Sequence, residues 1–512
     1  MLAWTIYLSF LGAAAARFAP SKQLARIVAL LTAVTGFALT IVALIHWQPG
    51  ELLTVARIPW IPQLGIEYHL AADGISMTVL LLTGIAAIAG ILFSWNIEHR
   101  TQEFFAFYLV LIGGVYGVFL SFDLFLLFVF YEIAIIPKYF LIAIWGSVPR
   151  EAAGGANPGA AREYAAMKLA IYSFAGSALV LAGMAAVWTL SPGHSLSLET
   201  LSQVPFSTHF QMAAFPMVFV GFAVLAGMWP FHTWAPTGHA AAPTAASMLL
   251  AGVVMKLGAY GCLRVAMMLF PRGLDPWGFH FLGLGSWRDV FAVLAVIGIV
   301  YGASVALVQR DFKFVIGYSS VSHMGFVLLG LMTLTQIGLD GAVFQMFSHG
   351  IIAGLLFAVV GRMVYDRTHT RDFAQLEPMG LARVIPFAAV TFILASVASI
   401  GMPGFSGFIA EFQVLVGAWH SIPWTAIVAG IGILVGIAFT WRALTKAFFG
   451  EPTPAAAHDH PLPPITLPEK CGAILLLATT LAVGLYPRVL TDLILPTLNS
   501  PLFHGLRTGA WR

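Results

Sequence analysis

The chain has 512 residues, of which 59% are hydrophobic and only 9% charged, with a mean hydropathy of +0.89 and a formal net charge of +3. So little charge excludes a soluble globular enzyme and defines a polytopic membrane protein. The apolar runs are continuous and about twenty residues long rather than alternating with period two, so helices are expected and not a β-barrel.

In chain order, fourteen spanning helices are expected at 2–18, 24–46, 72–96, 103–121, 124–145, 164–190, 211–228 (broken), 244–270, 288–308, 314–334, 339–364, 384–399 with 408–419 (broken), 423–449 and 471–486. The stretches 47–72 and 450–470 read as loops. Residues 2–16 lack a basic leader and are followed by Arg17, so they read as a first span rather than a signal peptide. Cys262 and Cys471 lie in apolar runs without a CxxC pattern, and no GxGxxG or GxxxxGK[ST] segment occurs. Neither an iron–sulfur or zinc site nor a nucleotide site is legible. Of the 25 Lys and Arg residues, fifteen fall in odd-numbered connections and four (Arg57, Arg264, Arg272, Arg288) in even-numbered ones. Odd connections are therefore expected in the cytoplasm and both termini outside.

Two segments are interrupted by Gly and Pro. The seventh breaks in MWPFHTWAPTGH, around Pro230 and Pro236; the twelfth breaks at GMPGFSG, around Pro403. They lie five helices apart, and a five-helix unit repeated once must insert upside down, the pattern of transporter cores. The expected organisation is 1–100 with a loop at 47–71, a first unit over 101–270, an inverted second unit over 288–450, and a C-terminal helix and tail over 451–512.

Against this apolar background a few ionisable residues stand out, and charge at mid-membrane depth marks ion pathways. Lys256 falls about 18 Å into a helix starting near Thr244, close to the middle of a core roughly 30 Å thick. Glu132 lies in LFLLFVFYEIAIIPKYF; Pro137 follows, where a kink or a freed carbonyl is expected, and Lys138 is six residues on, off the i, i+4 face. Lys168 sits one turn into its helix, where snorkelling to the interface is an alternative to a site role. Glu411 follows the twelfth break. His323 and His349 suit proton relay or a satisfied core position equally, and His232 and His239 flank the seventh break as relay groups or caps.

The motifs DLFLLFVFYE, HTWAPTGHAAAPTAASMLLAGVVMKLGAYG, QRDFKFVIGYSSVSHMGF, FQMFSHGIIAGLLF with RTHTRD, GMPGFSGFIAEF, and DGIS at Asp73 span nearly the whole chain. In them the chain resembles the antiporter-like subunits of respiratory complex I and of Mrp-type cation/proton antiporters, most of all the M-type chains of bacterial NADH:quinone oxidoreductase. The resemblance implies a fourteen-helix fold with two inverted five-helix repeats and a periplasmic hairpin in the second connection. It implies a proton channel through Glu132, Lys256 and Glu411, with His323 and His349 at family positions. It also implies a bacterial inner-membrane location beside L-, N-, K-, J-, A- and H-type chains. NADH, FMN, iron–sulfur clusters and quinone would belong to partner subunits; no cofactor or nucleic acid is expected on this chain. The same fold would serve a Mrp-type antiporter or a membrane-bound hydrogenase, and a scaffold with an inactive channel is the alternative of another class. One departure stands out: the family's seventh-helix lysine, seven residues before His232, is Leu225 here. Lys138 is the candidate replacement.

Overall fold

The computed structural model describes residues 1–147, 158–278, 284–452 and 462–510. The basic residues Arg150 and Arg512 lie outside the described residues, as does the stretch 453–461 of the expected C-terminal unit. The chain forms α1 (Ala3–Arg17), α2 (Lys22–His46), α3 (Gly74–Phe93), α4 (Thr101–Leu120), α5 (Leu124–Trp145), α6 (Pro158–Leu190), α7a (Thr208–Ala226) and α7b (Trp234–Ala241). There follow α8 (Thr244–Met267), α9 (Trp287–Val308), α10 (Phe312–Thr333), α11 (Gln336–Thr368), α12a (Pro386–Ser399), α12b (Ser406–Ser421), α13 (Pro423–Phe448), α14 (Leu467–Leu485) and the short α15 (Arg488–Leu498). Among the described residues, twelve helices are long and apolar enough to cross a membrane; α1 and the two pieces of α12 are shorter. Helices α3, α8 and α11 are enclosed by the others, whereas α2 and α13 are mostly peripheral.

Several expected boundaries shift for local reasons. The third helix starts at Gly74 rather than 72 because Asp73 is its N-cap, accepting from the Ser76 amide at 3.0 Å. The preceding residues form a hairpin of β1 (Leu53–Ile61) and β2 (Ile66–Ala72), turned at Gly65 with φ +66°. The eleventh helix runs further at both ends than 339–364, capped by Thr335 at its start and carried through a π turn at Val359–Tyr365. Pro137 does not break α5, which continues to Trp145. Pro236 does not break its segment either: it sits in the first turn of α7b, where a missing N–H costs no helix bond. The break itself spans 227–233.

The breaks in α7 and α12 share one hydrogen-bond pattern. Gly227, with φ +81°, donates to the Val224 carbonyl and Met228 donates to Ala223. Gly401, with φ +73°, donates to Ala398 and Met402 donates to Val397. A left-handed glycine followed by a six-residue back-bond is a Schellman stop. The starts of α5 and α10 also match. Asp123 caps α5 through the amides of Phe125 and Leu126, and Asp311 caps α10 through those of Lys313 and Phe314. Each then pairs antiparallel with the chain that leaves the next helix, at Ser197 and at Asp372.

Four basic residues that sequence assigned to connections are buried: Arg264, Lys313, Arg367 and Arg371. Arg264 lies inside α8 and is fully enclosed, its Nη2 2.7 Å from the Asp73 carboxylate. The rings of Phe122, Tyr260 and Phe503 surround its guanidinium at 5.0, 5.3 and 5.5 Å. Lys313 and Arg371 are each 1% exposed. Each has a partner remote in sequence, Asp73 for Arg264, Ala242 for Lys313, Glu469 for Arg367 and Ala240 for Arg371, which a one-dimensional count of charges cannot register.

Candidate proton-conducting site

The expected charges on α8, α10, α11 and α12b converge. A π turn at Leu250–Val254 precedes Lys256, and such turns concentrate at functional sites. The Lys256 Nζ donates to the Ala251 carbonyl at 2.5 Å and lies 2.7 Å from His349 Nδ1 on α11. The His349 ring faces that of His323 on α10, with centroids 5.3 Å apart. His323 Nδ1 is 3.0 Å from Glu411 Oε1 on α12b, and its Nε2 is 3.1 Å from Ser399 Oγ at the end of α12a. Lys256, His349, His323 and Glu411 therefore form one line from the first half of the chain to the last helices of the second.

The line borders open space. One cavity carries Ser319, Ser320, Gln345 and Ser348 beside His323, His349 and Glu411. A second, lined by Ser322, Ser399 and Thr440, reaches His323 and Glu411 from the side of α13. Cavities that carry several polar side chains, as these do, have the partners a water molecule needs, and a water is the kind of bridge that could span the gap between the two imidazole rings. Among the described residues no carboxylate pairs with Lys256. Its charge is met only by a carbonyl dipole and an imidazole, an arrangement suited to passing a proton rather than to locking helices together.

The other expected site residues are placed less tightly. His239 is fully buried in α7b, its two ring nitrogens without hydrogen-bond partners, against Trp234 and Phe357. His232 is buried with its ring 5.1 Å from that of Tyr301. Lys168 is half-buried, its Nζ 3.5 Å from Thr237 Oγ1 and 5.9 Å from the Tyr164 ring. Glu132 and Lys138 are not bonded to each other; Glu132 Oε1 and Lys138 Nζ each lack a hydrogen-bond partner, and Lys138 is 1% exposed. Leu225 is buried in α7a. Ser399 and Gln345, whose Nε2 is 3.4 Å from His323 Nδ1, join the site without having been singled out from the sequence. Gln345 was within reach of inference, since it precedes His349 by four residues and so shares its helix face.

A helical membrane bundle with two glycine-broken helices and a buried Lys–His–His–Glu line defines an antiporter-like membrane subunit. The family model described as NADH:quinone oxidoreductase/Mrp antiporter, TM matches residues 121–437. The NADH-quinone oxidoreductase subunit M of Rhodobacter capsulatus is 36% identical over 489 residues, covering 93% of this chain and 90% of that protein. Its counterpart in Escherichia coli strain K12 is 34% identical over 517 residues, 96% of each. A chain of the respiratory complex I from Thermus thermophilus with bound NADH shares the fold with a TM-score of 0.85 at 25% identity, covering 98% of this chain and 99% of that one. A chain of the Mrp complex from Dietzia sp. DQ12-45-1b has the same fold, with a TM-score of 0.85 at 21% identity and coverage of 99% and 98%. The chain belongs to the NADH:quinone oxidoreductase/Mrp antiporter family.

Proposed function

We propose that the chain is the M-type, proton-translocating subunit of a bacterial NADH:quinone oxidoreductase, moving protons along Lys256, His349, His323 and Glu411. The observation that carries this is the convergence of those four groups, with contacts of 2.7 Å and 3.0 Å at the two ends, ring centroids 5.3 Å apart between them, and cavities bearing polar side chains alongside. A proton reaching Glu411 removes the negative charge facing His323. A proton leaving Lys256 converts the partner of His349 from an ammonium to an amine. Each event changes the field on the next group, so charge at one end is felt at the other.

NADH, FMN, iron–sulfur and quinone chemistry is assigned to partner subunits, so this chain is a non-redox part of the enzyme. The partners are the L-, N-, K-, J-, A- and H-type chains. The basic bias of the odd-numbered connections supports an inner-membrane orientation with both termini outside. The matched stops in α7 and α12 and the matched caps of α5 and α10 support inverted units over 101–270 and 288–450, flanked by 1–100 and 451–512. Lys168, His232 and His239 would serve the first half. There the cation normally borne by the seventh helix would come from Lys138.

The deciding experiment is NADH-driven proton uptake by the reconstituted complex. Lys256→Met and Glu411→Gln are each expected to abolish most of the pumping assigned to this subunit while the complex still assembles. Normal pumping by both variants would leave only the scaffold.

A further inference from the structure

The carbonyl end of α7b is buried, and each of its last four backbone acceptors has a partner. The His239 carbonyl accepts from Ser247 Oγ at 2.7 Å, and the Ala241 carbonyl from the Ser147 amide at 2.8 Å. The Ala240 carbonyl accepts from the Arg371 guanidinium and the Ala242 carbonyl from Lys313 Nζ at 3.0 Å. Four orphan carbonyls are the ordinary deficit of a helix end, and water meets them when the end is exposed. Here two of the four partners are cations, placed at the negative end of a half-helix dipole. Both cations come from the second half of the chain, whereas α7b belongs to the first.

Both cations are held by further contacts. Asp311 caps α10 through the Lys313 amide at 2.8 Å and also holds Arg371 Nη2 at 2.9 Å. The Tyr365 ring lies 5.2 Å from the Arg371 guanidinium and 5.9 Å from Lys313 Nζ. Gly361 brings α11 so close that a methyl group there would meet the Lys313 side chain at 3.2 Å and Thr244 Oγ1 at 2.5 Å. The lysine is thus confined by α8, α10 and α11 together.

We propose that Lys313 and Arg371 are positioning residues for proton movement: from the second half they clamp the carbonyl end of α7b and thereby set His239 and His232 relative to Lys256. The clamp acts through the backbone of α7b, so it fixes the half-helix without itself carrying the proton. It also makes the placement of the first half's histidines depend on the packing of α10 and α11, which bear His323 and His349. This inference rests on the reading that the buried line moves protons.

The test uses the whole reconstituted complex carrying Lys313→Met, Lys313→Arg or Lys256→Met. With Lys313→Met, electron transfer and assembly persist, the protons moved per NADH fall roughly twofold or more, and amide exchange over 234–241 accelerates. Lys313→Arg, which keeps a cation on Ala242, restores most of both. A wild-type proton ratio in Lys313→Met overturns the clamp. So does a fall that leaves exchange over 234–241 unchanged and is not rescued by arginine, which would make Lys313 a carrier instead. Normal pumping by Lys256→Met would instead strike the underlying reading, so the two failures are distinguishable.

Discussion

Individual residues separate into those whose role follows from depth and those whose role depends on company. Lys256 and Glu411 could be picked out from the sequence because a charge in mid-span has no ordinary explanation, and they stand at the two ends of the observed line. Lys313 and Arg371 could not, because each lies at a helix boundary where a basic residue is unremarkable. What makes them structural is the carbonyls of Ala242 and Ala240, far away in sequence. Lys138 is the sharpest case. It is almost wholly enclosed, yet its ammonium has no bonded partner, and the neighbouring carboxylate of Glu132 has an unpaired oxygen. A buried group so placed needs a task or a water, since an unmet polar atom is costly. Lys138→Met is expected to reduce NADH-driven proton uptake with the complex assembled; pumping at the wild-type level would show that the first half works without a cation in place of the missing one.

At the scale of elements, the breaks were foreshadowed by glycine and proline, and the structure supplies their geometry. Gly227 and Gly401 occupy the left-handed region that stops a helix, so the run of apolar residues before them ends where the glycine stands. Pro137 leaves α5 continuous from Leu124 to Trp145, as the expected span 124–145 required, and with no N–H of its own it takes the usual donor from the Ile133 carbonyl. Gly401 does more than end α12a. A methyl group there would lie 3.0 Å from Glu411 Oε2, whereas at Gly404 it would meet nothing within 4 Å. Both positions have positive φ, so alanine is strained at each by roughly 1–2 kcal/mol. Gly401→Ala is therefore expected to lower proton uptake by more than Gly404→Ala at similar loss of thermal stability, as measured on the purified complex. Equal pumping by the two would mean that the close approach to the carboxylate is unimportant.

Across the whole molecule, the Asp73–Arg264 pair joins parts that are far apart in the chain. Asp73 caps α3 after the hairpin, Arg264 lies on α8, Phe122 sits between α4 and α5, and Phe503 comes from the C-terminal segment. Removing one member leaves a bare charge in an apolar setting, a loss of about 3–5 kcal/mol, whereas removing both is far milder. Arg264→Met alone is expected to lower the melting temperature and yield of the complex. Adding Asp73→Asn, which keeps a helix-capping side chain, should restore much of both. A double variant as poor as the single one would show that the guanidinium matters for its ring contacts rather than its charge.

Lys256 rides on Met255–Gly261, a piece of regular helix with a π turn on each side, Leu250–Val254 before it and Cys262–Met267 after it. Each wide turn holds a surplus residue, as a dislocation holds an extra row in a crystal. If the first of these turns were displaced past Lys256, the residues it passed would turn by roughly 100° while the helix on either side stayed still. Lys256 thus lies two residues past a helix defect, inside a helix that is enclosed along its whole length, so a displacement of that defect alone would re-aim its side chain.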